Sequence, residues 1–260
     1  MQPPDDHEPF VVYLIRHAQT AWNAEGRFQG QVDTTLSPTG RRQALALGTR
    51  LAKLGLPAIY SSDLARARET AELAASVGQL RVEVDPAFRE VDVGEWQGLT
   101  FDQVREIMPS SFEEWQLGRP GFHFPKGESY EEAAARAMRR IEEVCRGPSG
   151  RRLAVVSHGG VLRALVYLVL GLDHGRRGRV SLSNAGISAI GGEPGRWRLI
   201  LLNDTCHLEA LPPAAQEGDQ SPQAKGVGPL LGTKEKRADD SPGRVWTGKE
   251  RDGRRRTWPG

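Results

Sequence analysis

Phe10-Val-Val-Tyr-Leu-Ile-Arg-His-Ala-Gln-Thr20 is the stretch on which the fold turns. Its first six residues are apolar and rich in β-branched side chains, which predicts a short central strand buried on both faces. Arg16 and His17 follow at its carboxyl end. A second run of the same kind, Leu153 to Val156, ends in Ser157-His158-Gly159-Gly160 and leads into an apolar helix. In open α/β sheets ligands bind beyond the carboxyl ends of the strands, so both histidines are aimed at one edge. A glycine turn into a helix also exposes backbone N–H groups where the helix dipole favours an anion.

Working outward, Ser37-Pro38 opens a helix, with Ser as the cap and Pro at the first helical position, and Gly55 ends it. Ala58 to Tyr60 is a short strand, and Ser61-Ser62-Asp63 is expected to cap a helix running to about Val77. Val82 and Val84 suggest an edge strand. Thr100 with Gln103 and Ser129 with Glu132 are capping boxes. The first opens a helix ended by Pro109, the second a long amphipathic helix through Cys145. Ser181 to Ile190 and Trp197 to Leu202 close the pattern as a pair of strands. Strands alternating with helices predict an α/β fold with a mostly parallel central sheet flanked by helices on both faces.

Composition bounds the function. The chain has 260 residues and a formal net charge of +2, which gives no field to recruit nucleic acid or a membrane. The longest apolar run, Val161 to Leu172, contains Arg163 and is too short to span a bilayer. Cys145 and Cys206 have no His or Cys at metal-ligand spacing and read as reduced thiols of a cytoplasmic protein. The six histidines (His7, His17, His123, His158, His174 and His207) form no metal-binding pair, and His7, His174 and His207 read as surface residues. Residues 1–9 read as a flexible N-terminus. Residues 212–260 carry ten Lys or Arg against seven Asp or Glu with little periodicity, and read as a disordered tail. The folded domain is expected over residues 10–211.

Arginine supplies the charge the histidines lack. Arg16 adjoins His17, and Arg66 lies near the start of a helix that follows a strand. Two guanidinium forks can hold a phosphate dianion in one orientation. Arg68 reads instead as a partner of neighbouring glutamates on a solvated helix face.

These segments together resemble the histidine phosphatase superfamily, the phosphoglycerate-mutase-like fold, in its first branch. The resemblance is carried by Leu14-Ile-Arg-His-Ala-Gln-Thr20 with Asn23, Arg27 and Gln29-Gly30; by Leu36-Ser-Pro-Thr-Gly40; and by Ser62-Asp-Leu-Ala-Arg-Ala67. Phe88-Arg-Glu90 with Gly94-Glu-Trp96, Ser157-His-Gly-Gly160 and Ser183-Asn-Ala-Gly-Ile187 complete it. Ala18 stands where the family often has Gly. The resemblance implies that His17 is a nucleophile forming a phosphohistidine, and that Arg16, Arg66 and His158 bind the phosphoryl oxygens. It implies that Glu90 exchanges protons with leaving group and water, and that Asn23, Gln29 and the Gly159 N–H complete the cradle. No metal and no cofactor are implied, and a homodimer is left open. The expected substrate is a small organic phosphate monoester. A phosphoglycerate mutase and a non-catalytic phospho-ligand binder on the same fold are the alternatives.

Residues 91–127 are expected to form a small helical lid. They offer Trp96, Phe101, Trp115, Phe122 and Phe124 but only Arg105, Arg119 and Lys126 as cations. An aromatic lid suits uncharged or apolar leaving groups; the competing reading is that these rings pack a subdomain core.

Overall fold

A computed structural model describes residues 9–147, 151–173 and 180–211. The expected disorder of 212–260, the flexible start over residues 1–8, and the placements of His7 and His174 lie outside the described residues. Six strands form one sheet in the order β3-β2-β4-β1-β5-β6: β1 Phe10–Arg16, β2 Ala58–Ser61, β3 Arg81–Val84, β4 Arg152–Ser157, β5 Ile187–Glu193 and β6 Arg196–Asp204. The four from β3 to β1 run parallel, whereas β5 and β6 are antiparallel additions beyond β1. The expected central strand is therefore central, and Val82 and Val84 lie on an edge.

Alternation along the strands assigns each side chain to one of two cores. Val12, Leu14, Leu153 and Val155 belong to one face, with the apolar sides of α6 (Tyr130–Arg146) and α7 (Gly159–Leu170). Ile15, Ile59, Ala154 and Val156 belong to the other, against α2 (Pro38–Leu51) and α3 (Ala65–Gly78). Small residues let α2 and α3 approach closely: a Cβ on Gly48 would stand 2.5 Å from the Ala74 carbonyl oxygen.

The three expected caps at Ser37, Thr100 and Ser129 are present, the last two as full capping boxes. Two local readings need correction. The cap of α3 is not Ser61-Ser62-Asp63: Leu64 occupies the cap position without a side-chain bond, and Asp33 accepts from the Ala65 N–H at 2.6 Å. The helix opened by Thr100, α4 (Phe101–Ile107), is capped at Met108 and ends directly before Pro109, as expected; Pro109 then sits in the first turn of a further helix, α5 (Pro109–Leu117), where its missing N–H costs nothing. The late strand also begins at Ile187 rather than Ser181. Residues 183–186 form a turn, with Ala185 at φ 57°, whose backbone folds back onto Arg16 and His17.

The lid aromatics form a core of their own. Trp96 is fully buried, with Phe28, Trp115, Phe122 and Phe124 edge-on or tilted around it at centroid distances of 5.1–5.9 Å. Phe101 packs on Phe112 at 4.6 Å. The competing reading of the lid is the correct one for these rings.

Candidate active site

Strand register builds the site. In the parallel β1–β4 pair Arg16 lies opposite Ser157, so the next residues, His17 and His158, emerge side by side. The His17 N–H donates to the Ser157 carbonyl at 2.8 Å, and the two ring centroids stand 5.2 Å apart. On the other side of β4, β2 delivers the chain into α3, whose first turn carries Arg66. Beyond β3 the chain turns through Pro86–Phe88 to Glu90, and Ser157 Oγ holds that segment by donating to the Phe88 carbonyl at 2.7 Å. Four parallel strand ends thus converge on one pocket of about 510 Å³ of open space. Its wall includes Arg16, His17, Asn23, Gln29, Arg66, Glu90 and Gly159, so seven of the eight expected site residues are brought together. His158, fully buried with its ring centroid 5.2 Å from that of His17, is not part of the wall.

His17 is held in one tautomer. Nδ1 lies 2.7 Å from the Ala18 carbonyl oxygen, which can only accept, so Nδ1 carries the hydrogen. Burial drives the His17 pKa well below its usual value of 6.5, with Arg66 and then Arg16 adding to the effect. The neutral ring therefore keeps the lone pair on Nε2. His158 is driven down in the same way, by burial first and then by Arg66, His17 and Arg16. Neither of its ring nitrogens finds a hydrogen-bond partner among the described residues.

Arg66 is completely buried and aimed by two backbone acceptors, Gly30 at 2.7 Å and Val32 at 2.8 Å. Its Nε has no partner among the described residues. Burial pulls its pKa down to about 10, against the opposing pull of Glu90 and Asp33, so it stays charged at neutral pH. Arg16 is fixed by donating to the Leu182 carbonyl at 2.7 Å. The two amides are turned into donors by their neighbours. Asn23 Oδ1 accepts from the Thr20 N–H and from Asn184 Nδ2, and Gln29 Oε1 accepts from Thr34 Oγ1 at 2.8 Å. With their oxygens engaged, both residues can offer N–H groups to a ligand.

The start of α7 is already occupied by a side-chain carboxyl group. Glu90 accepts from the N–H groups of Gly160 and Val161 at 3.0 and 2.9 Å, and from its neighbour Val91 at 2.9 Å. The expected anion site at this helix is thus the seat of Glu90, and Gly159 borders the pocket one residue earlier. Arg89 does not pair with Glu90; it forms a two-pronged ion pair with Asp63, at 2.8 and 2.5 Å. Arg68 lies on the solvated face, 3.8 Å from Glu72.

Several contributors carried no signal of their own. Asn184 donates to the His17 carbonyl at 3.0 Å, and Thr70 accepts from the Ala18 N–H at 3.0 Å while donating to the Arg66 carbonyl. Asn184 sits inside a motif quoted above without an assigned role, and Thr70 lies one helical turn after Arg66. Phe28, Val91, Val93 and Tyr130 line the pocket, whereas Trp96, Phe101, Trp115, Phe122 and Phe124 do not. The lid aromatics therefore give the leaving group no apolar wall. His207 is not a surface residue: it is half-buried, with Nε2 3.0 Å from the Ala185 carbonyl oxygen. Ala18 packs with Leu36, Ala44 and Ala185, which gives its extra methyl a place. Among the described residues no three His, Cys, Asp or Glu side chains are grouped as a metal site requires, and no helix is long and apolar enough to cross a membrane.

A neutral, oriented imidazole between two buried arginines, on strand ends in this topology, can be compared directly with known proteins. Residues 12–205 match the histidine phosphatase superfamily (branch 1). The chain belongs to that superfamily. Among relatives, a probable phosphoglycerate mutase GpmB of Escherichia fergusonii is 35% identical over 211 residues, covering 79% of this chain and 97% of the relative. Among solved structures, a mycobacterial glucosyl-3-phosphoglycerate phosphatase in complex with VO3 is 35% identical at a TM-score of 0.68, covering 75% of this chain and all of that one. A phosphoserine phosphatase mutant from Entamoeba histolytica, in complex with phosphoserine, is 28% identical at a TM-score of 0.69, over 76% of this chain and 98% of that one. The family and these neighbours support a phosphatase enzyme.

Proposed function

We propose that the protein hydrolyses small organic phosphate monoesters through a phosphoryl group carried on His17. The observation that carries this reading is the bare Nε2 of a neutral His17, in a pocket that also presents Arg16, Arg66 and Glu90. Nε2 attacks phosphorus while the bond from phosphorus to the ester oxygen breaks. Arg16 and Arg66, with the Asn23 and Gln29 amides, bind the phosphoryl oxygens and spread the charge of the transition state. Glu90 in its protonated form gives a proton to the departing alkoxide. It then takes one from the water that attacks the phosphohistidine, releasing inorganic phosphate and restoring His17. We assign His158 a charge-free supporting role beside His17 until ligand enters, when its open nitrogens can reach the phosphoryl oxygens.

The near-neutral net charge supports a small-molecule partner over a nucleic acid. Two free cysteines fit a reducing compartment such as the cytoplasm. The test is phosphate release from p-nitrophenyl phosphate, with and without EDTA, by the parent chain and by His17→Ala. Release that survives EDTA and disappears in the variant is expected. Robust turnover by His17→Ala would reject the assignment.

The GpmB relative favours a second reading, a phosphoglycerate mutase. Against it, the pocket wall offers no cation from the lid: Lys126 pairs with Glu95 at 2.6 Å and Arg105 with Asp102 at 2.9 Å. Interconversion of 2- and 3-phosphoglycerate faster than phosphate release would decide for the mutase.

A further inference from the structure

The pocket wall holds a third arginine. Arg16 and Arg66 are buried, whereas the side chain of Arg27 is 33% exposed, which places it towards the mouth. It is presented from fixed backbone. The Phe28 N–H donates to the Leu99 carbonyl at 3.0 Å and the Gly98 N–H to the Phe28 carbonyl at 2.8 Å, joining the first loop to the lid on both sides of the pairing. The guanidinium is oriented by two of its nitrogens: Nη1 donates to the Gly98 carbonyl at 2.9 Å and Nε to Glu25 at 2.5 Å. Nη2 has no hydrogen bond among the described residues. The Glu25 pair is half exposed, so solvent screens it and it does little to satisfy the charge.

The charges on the wall then divide into two sets. Arg16 and Arg66 match a phosphoryl dianion beside a neutral His17. Arg27, more exposed than either, shares the pocket wall with the apolar side chains of Phe28, Val91, Val93 and Tyr130. With Arg16 and Arg66 assigned to the phosphoryl group, Arg27 is the one arginine left among the described lining residues, which suits a single further negative charge rather than a second dianion. One guanidinium edge suits one planar monoanion. We propose that Arg27 is a specificity-determining residue that binds a carboxylate on the leaving alcohol, so that the preferred substrates are phosphate esters of hydroxy acids. This rests on the phosphatase reading above.

The experiment uses the full chain and two esters that differ in one group: 3-phosphoglycerate, which carries the carboxylate, and glycerol 3-phosphate, which carries a hydroxymethyl in its place. The parent chain should show the higher kcat/KM on 3-phosphoglycerate. Arg27→Gln should lower that value roughly 10- to 100-fold, the loss expected for one charge-assisted hydrogen bond, and mainly through KM, since the contact is remote from phosphorus. The loss on glycerol 3-phosphate should be several-fold smaller, and Arg27→Lys should restore part of the preference. Independently of any variant, glycerate should compete with p-nitrophenyl phosphate on the parent chain better than glycerol does. Equal losses on both esters would mean that Arg27 only braces Gly98, and would overturn the proposal while leaving the phosphatase reading intact. A parent chain that prefers glycerol 3-phosphate would do the same. A parent chain that releases phosphate from none of the three esters would reject both.

Discussion

At the scale of single residues, the site depends on who holds each charge. Arg66 and Arg68 are two positions apart on one helix, yet one is buried against backbone carbonyls and the other is solvated beside Glu72. Arg66→Ala is expected to lower kcat/KM for p-nitrophenyl phosphate by at least about 100-fold, as for loss of a preorganised transition-state donor, and Arg68→Ala by less than about twofold. Steady-state kinetics on both variants checks this, and a reversal of their effects would refute the reading of the helix face. The two histidines make a second prediction. In the unfolded chain each titrates near 6.5, while folding holds both well below that. Above about pH 6.5 neither state binds the proton and nothing is lost. Below it the unfolded state binds protons first, so stability falls as pH falls, by up to about 1.4 kcal/mol per pH unit for each histidine. Thermal melts between pH 7.5 and 5.5 should show this decline, and His17→Asn with His158→Asn should flatten it. Which arginine is buried was legible once the motif was set beside the residues. What fixes the His17 tautomer was not, because the acceptor is a backbone carbonyl and no side-chain pattern marks it.

At the scale of elements, legibility followed sequence distance. The caps of α4 and α6 were readable because donor and acceptor sit three residues apart. The cap of α3 was not, because Asp33 reaches Ala65 from a loop 32 residues away. The glycine turn at the start of α7 was expected to receive a ligand anion, whereas its N–H groups are taken by Glu90, 70 residues earlier. Gly160 is what admits that carboxylate: a Cβ there would stand 2.7 Å from Glu90 Oε1 and 3.1 Å from Val91. Gly160→Ala should therefore leave a folded chain, since the nearest atom is a side-chain terminus, yet displace the acid–base group and lower kcat by about 10- to 100-fold. Circular dichroism with single-turnover kinetics separates the two effects. An active Gly160→Ala enzyme would show that Glu90 can work from another seat.

At the scale of the molecule, the sheet separates two cores, and the lid adds an aromatic annex to one of them. Trp96 is the hub of that annex, in contact with five rings. Trp96→Ala is expected to cost about 3–5 kcal/mol, measurable as a lowered urea midpoint. A cost under 1 kcal/mol would mean that the lid does not share the cooperative core. The fold class was legible because strand runs and glycine stops are local signals. The lid's purpose was not, since the same aromatic composition serves a wall or a core, and only packing tells them apart. The strand order carries one more implication, for biosynthesis. β1 is made first, yet both of its neighbours, β4 and β5, lie between residues 152 and 193. A ribosome must therefore deliver the chain as far as residue 193 before β1 can be zipped in from both sides. Until then that hydrophobic ribbon travels unshielded, and the nascent chain is a natural client for chaperones that guard exposed segments during translation.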